Sequence, residues 1–234
     1  MKGGGVLLED SIISAQSVTK VYGAGSLLIK ALDQVDLEVG RGEMIAVMGP
    51  SGCGKTTLLN CLSGIDSINS GTISIDNQPI QSLSDDDMSE FRSRRMGFVF
   101  QTYNLLPVLT ARENVEMPLL ISGCSAREAA ERANMQLESV GLLDWSEHKP
   151  GELSGGQQQR VAIARALVND PAIIWADEPT GNLDSSNEKE IMDLISKTHE
   201  EKHQAVVLVT HSDIVSERAD RIIQMNDGAI VSSG

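Results

Sequence analysis

The chain has 234 residues, of which 41% are hydrophobic, enough to bury the core of one large domain. A formal charge of −14 and an aromatic content of 3% supply neither a basic stripe nor stacking rings, so nucleic acid is a poor partner. Three cysteines without metal-ligand spacing are expected as reduced thiols, and apolar runs such as Ala205–Val209 fall far short of the roughly 20 residues of a membrane helix.

Residues 1–10 read as a mobile tail, because the apolar stretch before Glu9-Asp10 is too brief for a signal-peptide core. Alternating, β-branched segments at 12–21 and 27–39 predict a β-rich entry lobe, followed by a buried strand at 44–48. Directly after it comes GPSGCGKTTLLN, residues 49–60. Gly49 and Gly54, five apart and followed by Lys55 and Thr56, fit the loop whose backbone N–H groups converge on a phosphate while the lysine reaches the terminal phosphates. A helix is expected over 55–62 and a strand over 71–75. Ser84 then caps a helix whose acidic triplet Asp85-Asp86-Asp87 suits an N-terminus.

A short strand at 97–100 ends at Gln101, and residues 111–140 have a helical pattern in which Ser125 and Glu128 are expected to form a capping box. In LSGGQQQR, residues 153–160, Ser154 and Gln157 have the same spacing, and Gly155-Gly156 leave the first N–H groups unshielded. That makes a second anion-binding helix start. Helix 155–169, strand 172–176, helix 187–200, strand 205–209 and a hairpin at Asn226-Asp227-Gly228 complete the chain. Strands alternating with helices imply a mainly parallel sheet covered on both faces. The apolar residues of AIIWADEP bring the chain through the core to Asp177, placed to bind magnesium, and to Glu178, placed toward a γ-phosphate. Trp175 is expected in the core.

Two other patterns need weighing. His199-Glu200-Glu201-Lys202-His203 satisfies H-E-x-x-H, but it falls at the end of a polar helix without an obvious third ligand, so zinc is not expected. Cys53, beside Lys55 and a helix start, sits in a setting that activates thiols; its alkylation is expected to block turnover and ATP to protect it.

Taken together, the loop at 49–57, Gln101, LSGGQ at 153–157, Asp177-Glu178, the Gly181-Asn182-Leu183-Asp184 turn and His211 after a strand resemble the ATP-binding cassette ATPases over nearly the whole chain. The stretches FVFQTYNLLPVLTARENVEMPL and ELSGGQQQRVAIARAL look like the branch serving macrolide-type efflux, lipoprotein release and division-linked transport. The resemblance implies an α/β fold: a P-loop NTPase (RecA-like) core with a mainly parallel sheet, an N-terminal antiparallel β subdomain and an inserted α-helical subdomain. The chain would be a single nucleotide-binding domain, with 11–100 and 159–234 as ATP-binding core and 101–158 as the helical part.

Carried over by position, Lys55 binds the β- and γ-phosphates, Thr56 holds magnesium and Thr57 lies on the α-phosphate side, within a cradle of Gly49, Ser51, Gly52, Cys53 and Gly54. Tyr22 stacks on adenine. Asp177 and Gln101 serve magnesium, Gln101 also senses the attacking water, Glu178 is the general base and His211 bonds the γ-phosphate. Ser154, Gly155, Gly156 and Gln157 act on the ATP of a second copy in a head-to-tail pair, with Asp184 at that interface. The expected cofactors are ATP and Mg2+, the partners a second copy and separate membrane permeases docking near 101–123, and the location the cytoplasmic face of the membrane. The alternative is a soluble cassette ATPase acting on nucleic acid or ribosomes, which the charge disfavours. A scaffold that only binds ATP is opposed by the complete hydrolytic set.

Overall fold

The computed structural model describes residues 11–23 and 27–234, so the expected tail at 1–10 lies outside the described residues. The chain packs as two compact units, one running to Met88 and resuming at Lys202–Gly234, the other Ser89–Glu201.

In the first unit, β1 (Ser11–Tyr22), β2 (Ile29–Gly40), β4 (Ser70–Ile75) and β5 (Gln78–Pro79) form an antiparallel sheet in the order β2-β1-β4-β5. Its long strands do not alternate simply. Ser17 and Gln34 both take φ 49, and the β1–β2 register slips between Ala15 and Val18. These bulges switch the inward-facing set from Ile13 and Ala15 to Val18 and Lys20, because one extra residue changes the parity of a period-two strand.

β3 (Met44–Met48) runs parallel between β8 (Ala205–Val209) and β9 (Arg221–Asn226). Asp220 anchors its start by accepting from the Met44 N–H at 2.8 Å. Asp227 and Gly228, φ 46 and 78, turn β9 into β10 (Ala229–Ser233), the double positive φ that Asn-Asp-Gly predicts. Helix α1 (Lys55–Leu62) buries Leu58, Leu59, Cys61 and Leu62.

Helix α2 (Asp85–Arg95) begins as expected: the Ser84 hydroxyl accepts from the Asp87 N–H at 3.2 Å. Its acidic first turn and its basic last turn, Arg92, Arg94 and Arg95, both interact favourably with the helix dipole.

In the second unit, β6 (Met96–Phe100) pairs parallel with β7 (Ile173–Asp177), Phe100 opposite Asp177. The helical stretch expected over 111–140 is two helices, α3 (Ala111–Ile121) and α4 (Ala126–Ser139), broken where Gly123 takes φ 89. They pack with α5 (Gly155–Leu167) around Val115, Leu119, Leu137, Val161 and Ala164. The Ser125 capping box is only half present: its side chain accepts from the Glu128 N–H, whereas the Glu128 carboxylate lies 3.9 Å from Arg132. The reciprocal box forms at Thr110 and Glu113 instead. Helix α6 (Ser185–Lys202) starts two residues earlier than the apolar pattern indicated, and it ends before His203, which turns away at φ 51. His199 and His203 therefore do not continue one helical face. Trp175 is in the core at 1% exposure.

Candidate active site

The first unit carries the phosphate loop between β3 and α1. Gly54 takes φ 105, and a Cβ there would lie 2.4 Å from the Ala31 carbonyl oxygen. At Gly49 a Cβ would lie 2.2 Å from the Met225 carbonyl oxygen and 2.8 Å from Cys53 Sγ. Both ends of the loop are thus pressed against neighbouring strands, and only glycine lets the backbone approach that closely. Lys55 is 6% exposed, and its ammonium donates to the Gly49 and Pro50 carbonyls at 2.9 and 3.0 Å. Helix α1 has no acidic residue in its first turn, so its N-terminal dipole faces the loop beside that cation. Ser51, Gly52 and Thr56 are exposed, and Thr57 is half-buried. Cys53 differs from the expected reactive thiol: it is buried at 5%, its Sγ facing Gly49, while its carbonyl accepts from the Gly228 N–H at 2.9 Å.

Two more candidates belong to this unit. Tyr22 ends β1 with 41% of its surface exposed, its hydroxyl donating to Asp66 Oδ2 at 2.6 Å. His211 is exposed just beyond β8, after Thr210, whose hydroxyl accepts from the Ser212 N–H at 3.0 Å and whose own N–H donates to Val47.

The second unit brings Gln101, Asp177 and Glu178 to one strand end. Because Phe100 pairs with Asp177, Gln101 and Glu178 leave adjacent parallel strands at the same level. Glu178 takes φ 48, a left-handed conformation uncommon for a non-glycine residue and most frequent where function demands it. The turn after it is pinned by the Gly181 N–H donating to the Glu178 carbonyl at 3.1 Å and by Gln159, fully buried, donating to the Pro179 carbonyl.

Helix α5 starts with the full capping box expected from the spacing. The Ser154 hydroxyl accepts from the Gln157 N–H at 3.3 Å, and Gln157 Oε1 accepts from the Ser154 N–H at 2.9 Å. No acidic residue occupies its first turn. The two glycines also have a packing reason: a Cβ on Gly156 would lie 2.5 Å from Asn187 Oδ1, and one on Gly155 2.9 Å from the Tyr103 hydroxyl. Asn187 is itself held by Asp184, whose Oδ2 accepts from Asn187 Nδ2 at 2.9 Å and whose Oδ1 accepts from the Ser186 and Asn187 N–H groups at 3.1 and 2.9 Å. Asp184 caps α6, and the donors from Asn187 and then Ser186 hold its carboxyl below the ordinary aspartate pKa.

The profile of the ABC transporter family matches residues 32–181. The chain belongs to the ABC transporter family. Among its relatives, the ABC transporter ATP-binding protein MJ0796 of Methanocaldococcus jannaschii is 46% identical over 94% of this chain and 95% of its own. A dimeric structure of the MJ0796 cassette in a post-hydrolysis state, bound to ADP and Pi, superposes with a TM-score of 0.88 at 44% identity, covering 95% of this chain and 97% of that one. The lipoprotein-releasing system ATP-binding protein LolD of Legionella pneumophila is 42% identical over 95% of this chain and 98% of its own. The macrolide export ATP-binding/permease protein MacB of Brucella melitensis is 43% identical over 94% of this chain, which spans 34% of that longer protein.

This ABC chain is an ATPase, and its mixed α/β architecture is that of the ATP-binding cassettes. Several residues that shape the ABC site escaped the sequence reading. Asn182, read only as part of its turn, donates Nδ2 to the backbone carbonyl of Gln101 and accepts from Gln101 Nε2. Arg165 supports the segment after Gln101, where Tyr103 and Asn104 take φ 60 and 49 in succession; its guanidinium donates to both their carbonyls, to Tyr103 at 2.8 Å. Burial pulls the Arg165 pKa down to about 10, which leaves it cationic at neutral pH. No spacing rule connects Arg165 or Asn187 to loops they only touch in three dimensions.

Proposed function

We propose that this chain is the ATP-hydrolysing subunit of a membrane transporter, pairing head to tail with a second copy around two Mg-ATP. The observation that carries the reading is that α1 begins behind Gly54 and α5 begins with Gly155-Gly156, neither with an acidic residue in the first turn, and only α1 brings a lysine. Two anion-binding helix starts on one chain serve the same nucleotide when the second comes from another copy. The dimeric form of the MJ0796 cassette supports this arrangement.

In this reading Lys55, with Gly49, Ser51, Gly52, Cys53, Gly54 and Thr57, binds the phosphates, and Tyr22 seats the base. Glu178 accepts the proton of the water that attacks the γ-phosphorus, and His211 hydrogen-bonds the γ-phosphate. A positioned base of this kind contributes about 10²- to 10⁴-fold in rate. The Thr56 hydroxyl, the Gln101 side-chain oxygen and the Asp177 carboxylate are hard oxygen donors suited to Mg2+. When bound, that ion neutralises phosphate charge. Ser154, Gly155, Gly156, Gln157 and Asp184 complete the partner copy's site. The chain works as one nucleotide-binding domain, with 11–100 and 159–234 as its ATP-binding core and 101–158 as its helical subdomain.

Among the described residues no helix is long and apolar enough to cross a membrane. In this reading the work passes to membrane subunits at the cytoplasmic face, as the likeness to a lipoprotein-releasing system ATP-binding protein supports. Residues 101–123 are their dock. Leu106 and Val108 are 41% and 73% exposed there, on a loop stapled by buried Asn114, which donates to the carbonyls of Leu106, Leu109 and Thr110. The likeness to LolD and MacB supports lipoprotein extraction, export or force transmission over uptake.

The test is to purify tagged Glu178→Gln protein from detergent-solubilised membranes in Mg-ATP. Recovery of an integral membrane protein with a large extracytoplasmic domain supports the reading. Recovery of soluble assemblies alone would overturn it.

A further inference from the structure

We infer that Lys20 and Asp66 are positioning residues for Tyr22, forming a clamp that holds the phenol ring still as a seat for the nucleotide base. This rests on the proposed base-stacking role of Tyr22.

The clamp starts from the bulge at Ser17, which turns Lys20 inward on β1. Tyr22 follows two residues on, at the end of the strand. Lys20 is 7% exposed, and a buried ammonium demands partners. It has Asp66 Oδ1 at 2.6 Å and the Ser67 carbonyl at 2.6 Å. Its Nζ also stands 4.9 Å from the centroid of the Tyr22 ring, in cation–π range. The other Asp66 oxygen takes the Tyr22 hydroxyl at 2.6 Å. One carboxylate therefore joins the ring's edge to the cation covering one of its faces.

The protonation balance agrees with this geometry. Burial pushes the Asp66 carboxyl up, but the hydrogen bonds from Lys20 and Tyr22 outweigh it and leave the group below its ordinary value. The hydrogen bond to Asp66, with burial, raises the Tyr22 hydroxyl, against a smaller opposing bond from Thr57. Thr57 lies on α1, directly behind the phosphate loop.

With its edge anchored and one face covered, Tyr22 still keeps 41% of its surface exposed. A free surface tyrosine would lose rotamer freedom on stacking; one already clamped does not, and the saving amounts to about threefold to tenfold in affinity. The effect belongs on KM rather than on kcat.

The test measures KM and kcat for ATP in Tyr22→Phe, Lys20→Met, Tyr22→Ala and the double variant Tyr22→Ala/Lys20→Met. Tyr22→Phe and Lys20→Met are expected to raise KM about threefold to tenfold, and Lys20→Met is expected to add nothing once Tyr22 is alanine. If Tyr22→Ala raises KM while Tyr22→Phe and Lys20→Met leave it unchanged, the clamp is wrong and the stacking role stands. An unchanged KM in Tyr22→Ala removes the stacking role and the clamp with it. A Lys20→Met effect that persists undiminished in the double variant also overturns the clamp. Should Lys20→Met fail to fold, Tyr22→Phe, which deletes only the hydroxyl, decides alone.

Discussion

Gln101 and Asn182, 81 residues apart in sequence, hold each other: Asn182 Nδ2 donates to the backbone carbonyl of Gln101 at 2.9 Å, and the Gln101 side-chain Nε2 donates to Asn182 Oδ1 at 3.4 Å. Neighbouring Gly181 leaves room for this, since a Cβ on it would lie 2.8 Å from Gln101 Nε2. The Gln101 side chain is thereby oriented from the turn that follows Glu178. Asn182→Ala is predicted to lower kcat about fivefold, the worth of roughly one net hydrogen bond, with ATP affinity within about twofold of the parent. Steady-state kinetics beside equilibrium nucleotide binding checks both halves, and an unchanged kcat would show that Asn182 does not position Gln101.

Gly156 gives a prediction whose sign opposes simple helix propensity. Replacing a helical glycine by alanine ordinarily stabilises by about 1 kcal/mol, but here the new methyl meets Asn187 Oδ1 at 2.5 Å. The Asn187 side chain must swing away and give up its Nδ2 bond to Asp184 Oδ2. Gly156→Ala is therefore expected to lower Tm, and Asn187→Ala on that background to recover part of the loss. Thermal melts of the single and double variants decide it; a higher Tm in Gly156→Ala alone refutes the proposed contact.

Asp184 sets an acid-side dependence. Its folded pKa is depressed by the α6 N–H donors, so its stabilising contribution is present above the ordinary carboxyl pKa of about 3.9 and is lost as pH falls through the lower folded value. Amide exchange at Ser186 and Asn187 is predicted to speed up, relative to the rest of α6, only in that acidic window. Asp184→Asn keeps a capping oxygen but does not titrate there, so its α6 start should show no such window.

Cys53 is predicted to react slowly with maleimides while Cys124 reacts first, because Cys53 is buried against Gly49 and Cys124 is half-exposed. Mass spectrometry of the labelled chain over time reads the order directly. Faster labelling at Cys53 would mean that the loop opens readily in solution.

The parts of this fold legible in the sequence were those written in local pattern. β3, α1, β8 and the hairpin at Asp227-Gly228 follow from apolar runs, glycine spacing and turn chemistry. The Ser154–Gln157 capping box was readable because both partners lie within one turn. The identically spaced Ser125–Glu128 pair formed only half a box, since Arg132, one turn further, offers Glu128 an ionic partner; spacing permits a box and competition decides it. The bulges in β1 and β2 were not legible, because Ser17 and Gln34 are neither glycine nor asparagine, and they reverse which positions face inward. The buried place of Lys20 on β1 was therefore not readable from the strand pattern. Asn187, Arg165 and the bond between Asn182 and Gln101 were missed for a different reason: each joins segments between about 30 and 80 residues apart, a distance over which no periodicity carries information.

Arg165 bears on the order in which the molecule is made. The backbone of Tyr103 and Asn104 is held in two successive left-handed conformations by a guanidinium that the ribosome adds 62 and 61 residues later. Until that residue emerges, the segment following Gln101 has no such support, and the ordinary preferences of a nascent chain favour other shapes. The head of the loop proposed to meet the membrane subunit therefore acquires this support late in synthesis, after most of α5 has been made. Chains halted before that point carry every residue of the docking segment without its shape.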